Sequence, residues 1–348
     1  ADVDLHLLMR LREGDEDAFV TLVSKHHDPM LRLARTFVHS HAVAEEVVQD
    51  TWLAVLRGLA GFWTDYLWFQ SVGFTSVFRG VLLTRVLLAV VFSIIFFGLM
   101  FANLTIVDRL APPEIDVSTA NELVVRYRDF AFNRGLRIRL AVSAVFGVLG
   151  GISTNSQWNN WDLFRYNLSF GQTDAQFHKD VGFYVFELPF IRFLIDWSFE
   201  AVIVVLIVSV VFHYLNGGIN PQAAGRRVAP AVKAHLSVLL GALAIIKAVA
   251  YYFDRLGLVL SRSHVVDGAT ATSVHADAPA KLLLLFIALI SAGLFLANIR
   301  QRGWILPAVG VALWGLVSLL VGAAYPALYQ ALRVNPSELT REAPYSQR

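Results

Sequence analysis

A single lysine lies within an apolar stretch that is long enough to cross a membrane. Lys247 falls inside the run 232–252, while Asp196 and Glu200 lie near the start of the preceding apolar run. A charge at the centre of a bilayer costs at least about 2.5–3.5 kcal/mol on insertion scales, so such residues often have a partner or a function. Two interpretations stay open. Lys247 pairs with Glu200 or Asp196 and lines a polar path for an ion or solute, or its long side chain extends to the interface near Asp254.

The histidines are the other residues that suggest ligand binding. The sequence has 10 histidines and no cysteine, and the closest pairs are His26 with His27 and His39 with His41. Neither pair has the helical i, i+4 spacing with an adjacent glutamate that a zinc protease uses. The sequence also lacks a glycine-rich phosphate loop followed by lysine, and it lacks a nucleophile-elbow motif. We therefore expect no metal site, no cofactor and no enzymatic activity.

The segment 170–190 is too polar to span a membrane and is unusually rich in aromatic residues. It contains Asp174 and Asp180, and Pro189 near its end predicts a break before the next helix. Two interpretations stay open here as well. The segment either covers a cavity between helices and presents both aspartates outward to a cation or a partner, or it is an amphipathic element that packs against the end of the bundle.

The composition indicates the class of structure that must position these residues. Of 348 residues, 56% are hydrophobic and 16% are charged, and the mean hydropathy is +0.56. A typical soluble domain is about 45–50% apolar and about 25% charged, so the balance favours a membrane protein over a soluble enzyme. The lack of cysteine excludes disulfides and thiol chemistry. The formal net charge of +2 gives no reason to expect nucleic acid as a partner.

Long apolar runs after residue 80 predict an all-α, polytopic transmembrane helix bundle. A helix needs about 20 residues to cross the hydrocarbon core. We predict about six spans, of which the glycine-containing second is the weakest, at residues 86–107, 140–158, 201–215 with an extension toward Trp197, 232–252, 282–298 and 304–324. His213 and His235 lie toward the ends of the third and fourth spans.

The charges of the connecting segments predict how the bundle is oriented. Arginine and lysine concentrate in segments 108–139, 216–233 and 299–303, which the positive-inside rule places in the cytoplasm. The alternate segments 159–196 and 254–280 hold more acids than bases and are expected outside. Six spans then put both ends of the chain outside. The predicted location is the plasma membrane, with the lipid bilayer as partner.

The N-terminal residues have a different character from the rest of the chain. Apolar residues at steps of three and four predict three helices in a small soluble unit. A chain of about 60 residues buries only about 60% of its unfolded surface, so we expect this unit to need a partner or further chain. The predicted domains are this unit at 1–62, an interfacial aromatic segment at 63–80, the bundle at 81–325 and the start of an extracellular tail at 326–348.

Two motifs of the N-terminal unit resemble region 2 of extracytoplasmic-function sigma factors, over residues 4–62. They are Leu-Arg-Glu-Gly-Asp-Glu-Asp-Ala-Phe at 11–19 and Ala-Glu-Glu-Val-Val-Gln-Asp-Thr-Trp-Leu at 44–53. The resemblance implies that a set of side chains on the second motif contacts the clamp helices of RNA polymerase: Glu45, Glu46, Gln49 and Asp50. The residues that melt a promoter in that family are absent. Because residues 1–62 hold ten acidic and six basic side chains, we expect no direct DNA binding.

The remainder of the chain resembles uncharacterised protein family 0182, a family of multi-pass bacterial membrane proteins, over residues 63–345. The pieces that carry the resemblance occur in the family's order: Asp-Tyr-Leu-Trp-Phe at 65–69, Asp-Val-Gly-Phe-Tyr-Val-Phe-Glu-Leu-Pro-Phe at 180–190, Tyr-Leu-Asn-Gly-Gly-Ile at 214–219 and Val-Asn-Pro-Ser-Glu-Leu at 334–339. The resemblance implies an integral plasma-membrane protein whose molecular activity is open, fused near residues 61–63 to a truncated sigma-like head.

Two other functions remain as alternatives. The first is a membrane-tethered transcription regulator that binds RNA polymerase through residues 1–62, which requires the N terminus in the cytoplasm. The second is an ion or solute transporter that uses Lys247 with Glu200 or Asp196.

Overall fold

The chain is almost entirely helical in the computed structural model, which describes Arg10 and residues 15–112, 121–223, 227–261, 268–301 and 303–346. Within these ranges, extended pairing is limited to two isolated bridges, one between Thr173 and Asp180 and one between Ile219 and Val228. The predicted all-α class is confirmed. By its internal contacts the chain divides into two units, Ala1–Leu82 and Leu83–Arg348.

Two helices form the described part of the N-terminal unit. Helix α1 covers Glu16–Ala34 and helix α2 covers His41–Ser71. The side chain of Asp15 begins α1, because it accepts hydrogen bonds from the backbone N–H groups two and three residues ahead at 2.9 and 3.3 Å. Ala44 and Val48 of α2 are buried and contribute to a small core.

Helix α2 runs past the predicted end of the N-terminal unit. It continues through residue 62 to Ser71, so the predicted unit and part of the aromatic segment 63–80 share one helix. Three aromatic side chains of α2 surround the ring of one residue beyond it, with centroid distances of 5.4, 5.7 and 5.6 Å: Phe62, Tyr66 and Phe69 around Phe78. The first of the three predicted helices, at residues 5–11, lies outside the described residues.

Six helical segments among the described residues are long and apolar enough to cross a membrane. They are Thr75–Arg109, Gly135–Arg165, Phe183–Leu215, Pro230–Leu260, Ser273–Gln301 and Ile305–Ser337. The prediction of about six helices long and apolar enough to span is confirmed for the described residues, and each predicted run lies within one of these segments to within one residue. The helices extend beyond the apolar runs because their polar ends, which hydropathy leaves out, are helical too.

The helices of this part of the chain are numbered in chain order. They are α3 Thr75–Arg109, α4 Glu122–Ala131, α5 Gly135–Ile152, α6 Trp158–Arg165, α7 Leu188–Leu215, α8 Pro230–Leu256, α9 Ala278–Gln301, α10 Ile305–Val317, α11 Tyr325–Tyr329 and α12 Glu338–Ser346. Helix α8 packs against α7 and α9, and α9 also packs against α10. The largest buried cluster joins α3 and α7 around Met100, Leu104 and Val205.

Helices α3 and α5 approach each other along a row of glycines. A Cβ atom on Gly147 would lie 2.9 Å from the carbonyl oxygen of Ser93, and one on Gly151 would overlap both Ser93 and Ala89. Small residues that let two backbones approach are typical of helix contacts in membranes. The glycines that weaken the second span in a hydropathy reading are therefore its contact surface.

Four π-helical turns among the described residues share one sequence feature. Each ends two residues before a proline: Phe183–Glu187 before Pro189, Ser273–Asp277 before Pro279, Ser318–Ala324 before Pro326, and Gln330–Val334 before Pro336. A proline has no N–H, and its ring clashes with the carbonyl four residues earlier in a regular helix. A wider turn before the proline accommodates the ring. The predicted break at Pro189 is therefore wrong, because the helix already begins at Phe183.

Candidate functional site: a buried polar network

Lys247 lies against aromatic rings rather than against a carboxylate. Its ammonium nitrogen is 5.4 Å from the ring centroid of Phe199 and 5.5 Å from that of Tyr251. The negative faces of the rings stabilise the cation. Asp196 and Glu200 are exposed, and neither forms an ion pair with Lys247 within the described part of the chain. The structure therefore does not bring the three predicted side chains together.

Two histidines from consecutive spans meet inside the bundle. Nε2 of His213 on α7 lies 3.0 Å from Nδ1 of His235 on α8. His213 is fully buried, and His235 is 7% exposed. Nδ1 of His213 has no hydrogen-bond partner among the residues that the structure describes. Since buried polar groups normally have partners, this nitrogen marks the pair as a candidate site.

The turn between α7 and α8 brings the two histidines together. The backbone N–H groups of Gly218 and Ile219 donate to the carbonyl oxygen of His213 at 2.8 and 3.3 Å, and they fold the chain back at the end of α7. A Cβ atom on Gly218 would lie 2.8 Å from the side chain of Val232, so the turn requires glycine there. Hydropathy places both histidines near span ends. The sequence signal that could have paired them is the pair of glycines, Gly217 and Gly218, that follows the first span.

Two further pairs of buried polar side chains connect the helices around the histidine pair. Asn103 of α3 donates to the hydroxyl of Ser209 at 2.6 Å, one turn before His213 on α7. Asn298 of α9 donates to the hydroxyl of Ser237 on α8 at 2.8 Å. These four side chains are buried. Oδ1 of Asn103, like Nδ1 of the histidine, lacks a partner within the described residues.

The histidine pair has room for one proton more than its neutral form. In the neutral pair one ring donates an N–H to the bare nitrogen of the other, and either ring can be the donor. One added proton keeps this hydrogen bond, because the charged ring donates and the neutral ring accepts. A second added proton would place two N–H groups against each other. The hydrogen-bond geometry of the pair therefore accommodates at most one added proton.

A charged cluster and a cavity lie close to the histidine pair. Arg139 of α5 forms an ion pair with Asp108 of α3, and Asn216, three residues after His213, donates to the same carboxylate at 3.0 Å. Burial, followed by the negative charge of Asp108, raises the pKa of Tyr127. Asp108, Tyr127 and Asn216 line a cavity of about 300 Å³. A polar cavity thus lies about one helical turn along the chain from the pair.

The loop before α7 uses its two aspartates to hold its own backbone. Asp174 accepts hydrogen bonds from three backbone N–H groups and from the hydroxyl of Tyr184, at 2.6–2.9 Å. Asp180 accepts from the hydroxyl of Ser169 at 2.6 Å and from three backbone N–H groups. Burial opposes the charge of Asp174, but its hydrogen bonds outweigh burial and lower its pKa. The Ser169 hydroxyl lowers the pKa of Asp180. Because the carboxylate oxygens of both aspartates already accept hydrogen bonds from the loop itself, the packing interpretation of segment 170–190 is favoured over a cation site.

We expect the substitution Asp174→Asn to loosen this loop. An amide has one acceptor oxygen where the carboxylate has two, so a buried N–H loses its partner at a cost of about 1–3 kcal/mol. The amides of Gln176, Phe177 and Lys179 should exchange hydrogen faster, while the same change at exposed Asp129 should have no effect on them.

The same substitution should remove a pH dependence. Because folding lowers the pKa of Asp174, its stabilisation is present above the ordinary value of about 3.9 and is lost as the pH falls through the lower folded value. Protection of the loop amides should therefore decline at acidic pH in the parent protein and change less in Asp174→Asn. Equal exchange in the two proteins at neutral pH would contradict the role given to this carboxylate.

The predicted polymerase contacts lie on exposed positions of α2. Glu45, Glu46, Gln49 and Asp50 are all exposed, and Nδ1 of His41 lies 3.3 Å from the carboxylate of Glu45. Glu45 and Gln49 also line a groove of about 440 Å³ between α1 and α2. Within the N-terminal unit, the structure leaves all four predicted side chains accessible.

A family model matches most of the chain. The model described as Uncharacterised protein family (UPF0182) covers residues 45–348. The chain belongs to the UPF0182 family. The resemblance predicted for residues 63–345 is therefore confirmed, and the UPF0182 match begins earlier than predicted, within helix α2.

Several UPF0182 proteins are similar to this chain over most of its length. One from Frankia casuarinae is 45% identical over 313 residues, which covers 90% of this chain and 30% of the relative. One from Streptomyces coelicolor is 40% identical over 291 residues, which covers 82% of this chain and 29% of the relative. One from Thermobifida fusca is 37% identical over 296 residues, which covers 85% of this chain and 29% of the relative. The chain thus spans less than a third of the length of these relatives. No solved structure matches it.

A second family model, Sigma-70 region 2, matches a short N-terminal stretch. It covers residues 22–65, which is a shorter range than the resemblance predicted over 4–62. The match includes most of α1 and the first part of α2. It overlaps the UPF0182 match over residues 45–65, so the comparisons mark no boundary at the predicted junction near 61–63.

Proposed function

We propose that this UPF0182 chain is a multi-pass integral protein of the bacterial plasma membrane. Its six candidate spans have 29–35 residues each, which exceeds the about 20 residues that a crossing needs. Large apolar side chains on these helices point outward; Ile94, Ile207 and Leu319 are 64%, 58% and 64% exposed. Soluble proteins rarely expose wide apolar surfaces. Lipid chains would cover these faces in a bilayer.

Alkaline carbonate extraction tests this location. Six apolar helices in the hydrocarbon core resist a treatment that removes peripheral proteins, so we expect the full-length chain in the membrane pellet. A peripheral protein of the same membranes, released into the supernatant, is the control. Recovery of the full-length chain in the supernatant would overturn the proposal.

A second candidate is a membrane-tethered regulator whose N-terminal unit binds RNA polymerase. The Sigma-70 region 2 match and the exposure of Glu45, Glu46, Gln49 and Asp50 support it. The charges of the loops oppose it, because an even number of spans with arginine-rich segments inside puts residue 1 on the outer side. This candidate therefore depends on the side of the membrane that residue 1 occupies.

A topology reporter fused at residue 1 separates the two candidates. Following the loop charges, we expect its signal outside the cytoplasm, which would rule out a polymerase partner. A cytoplasmic signal would contradict the orientation and would lead to a binding test. In that test, charge reversal by Glu46→Arg with Asp50→Arg should weaken capture of core polymerase, whereas Asp28→Arg on the exposed side of α1 should not.

A third candidate is the movement of ions or solutes through the bundle. The buried His213–His235 pair supports it more strongly than Lys247, whose ammonium group is already stacked on two rings. Buried polar pairs within a transmembrane bundle are typical of proton pathways in pumps and transporters. This candidate predicts a proton flux that depends on the histidine pair.

A further inference from the structure

An apolar groove opens on the side of the bundle between α3, α6 and α7. Its volume is about 540 Å³. Leu88 and Phe92 of α3 form one wall and are nearly buried. Trp161 of α6 and Phe190 and Trp197 of α7 form the other. All of these side chains belong to candidate membrane-spanning segments.

The walls of this groove are fixed by ring contacts. The rings of Phe92 and Trp197 meet edge to face with centroids 4.7 Å apart. Trp161 and Phe164 both contact the ring of Phe190 at 5.2 Å. The indole N–H of Trp197 donates to the carbonyl oxygen of Gly150 at 3.1 Å. These contacts fix the positions of the side chains that line the groove. Its shape therefore exists before a ligand enters.

The groove faces away from the protein along α3. Leu87, Val91 and Ile95 line it and are 48%, 41% and 50% exposed. If the proposed membrane location is correct, on which this inference rests, the groove lies at a depth where the surrounding molecules are acyl chains. An acyl chain is apolar and flexible, and it can fill a groove that offers almost no polar atoms.

A cation lies one helical turn beyond the groove. The guanidinium carbon of Arg85 is 5.4 Å from the ring of Trp158. Arg85 precedes Leu88 by one turn on α3, and Trp158 precedes Trp161 by one turn on α6. Arg85 is exposed and forms no ion pair with an acid among the described residues. A guanidinium group in this position suits a phosphate group at the membrane surface.

We propose that the groove binds one phospholipid, with an acyl chain against Phe92, Trp161 and Trp197 and its phosphate at Arg85. Both parts of such a lipid find a chemical match on the same face of the bundle. The aromatic walls of the groove supply dispersion contacts along the acyl chain of the lipid. The guanidinium group, held over the Trp158 ring, supplies charge-assisted hydrogen bonds to the phosphate.

Native mass spectrometry of the detergent-purified full chain, titrated with phosphatidylglycerol, tests the site. We expect one lipid to be retained. Val91→Phe should abolish this retention by filling the groove, while Val90→Phe, at a neighbouring exposed position outside the groove, should leave it unchanged. Arg85→Gln should weaken binding about fivefold, since one basic residue near a membrane surface contributes about that factor. Arg165→Gln, at an arginine that stacks on Tyr166 outside the groove, is its control.

Flotation of the same proteins with phosphatidylglycerol vesicles tests the membrane location separately from the lipid site. Protein that floats but retains no lipid, or retains it equally in Val91→Phe and Val90→Phe, overturns the lipid site and leaves the membrane location standing. Protein that fails to float overturns the proposed membrane location and the lipid site with it. Protein that floats and loses its lipid only in Val91→Phe supports both.

Discussion

Replacing His213 by glutamine is expected to reduce proton movement through the bundle at least about tenfold, which corresponds to a barrier about 1.4 kcal/mol higher. Glutamine can hydrogen-bond to His235 as the imidazole does, but its amide cannot take up a proton. The pair loses its capacity to take up one proton while its packing is kept. A pH-sensitive dye trapped in vesicles that contain the purified chain measures the flux after an imposed pH step.

Two further variants separate the chemistry of the pair from its contribution to stability. His213→Leu leaves Nδ1 of His235 buried without a partner, at a cost of about 1–3 kcal/mol, so its Tm should fall below that of the glutamine variant. Lys247→Leu should change the flux little, because the ammonium lies on the rings of Phe199 and Tyr251. Undiminished flux in His213→Gln would remove the pair from any proton pathway. Loss of flux in Lys247→Leu at an unchanged Tm would shift the pathway to the lysine.

The number and places of the spans could be predicted from the sequence because the bilayer imposes a simple length rule. An uncharged run such as 86–107 has few other stable environments. The same rule treats glycine only as a weakly apolar residue. It therefore marks the second span as weak, although Gly147 and Gly151 make the close contact between α3 and α5. Hydropathy carries no information about which neighbour a glycine faces.

The partners of the buried polar side chains could not be predicted for a related reason. The sequence places Lys247 inside a span and His213 and His235 toward span ends, but the rotation of each helix about its axis decides what each side chain meets. A lysine has a long, flexible stem and can reach acids or rings; in the structure it reaches the rings of Phe199 and Tyr251. The histidines meet because the turn after His213 and the bridge between Ile219 and Val228 fold the chain back, so that the start of α8 lies beside the end of α7.

The wide helical turns show that a proline in an apolar run has two structural outcomes. Pro189 was expected to interrupt the chain before a helix, since proline disrupts a regular α-helix. The chain instead widens the preceding turn, where the N–H of Leu188 donates to the carbonyl of Phe183 five residues earlier. A proline within an apolar run is therefore compatible with a widened turn inside a continuing helix as well as with a helix end. Pro279 follows a second turn of this kind, Ser273–Asp277.

The substitution Gly151→Val is expected to destabilise the bundle strongly. A side chain at this position would overlap the backbone of Ala89 and the backbone and hydroxyl of Ser93. Backbone atoms of a long helix cannot move aside as a side-chain end can, so α3 and α5 must separate. Overpacking of this kind costs about 1–3 kcal/mol or more. Separation would also weaken the hydrogen bond from Trp197 to the carbonyl of Gly150. We expect a clear fall in the Tm of the detergent-solubilised chain.

Gly98→Val is the matched control, because Gly98 lies on the partner helix α3 and a Cβ atom there would meet no atom within 4 Å. Both substitutions add the same side chain and make the same change in intrinsic helix propensity, so the difference between their Tm values isolates the helix contact. Gly151→Ala should give an intermediate fall, since its single methyl group already meets Ser93. Equal Tm values for Gly151→Val and Gly98→Val would show that α3 and α5 do not touch at this glycine, and the close packing assigned to the second span would then be wrong.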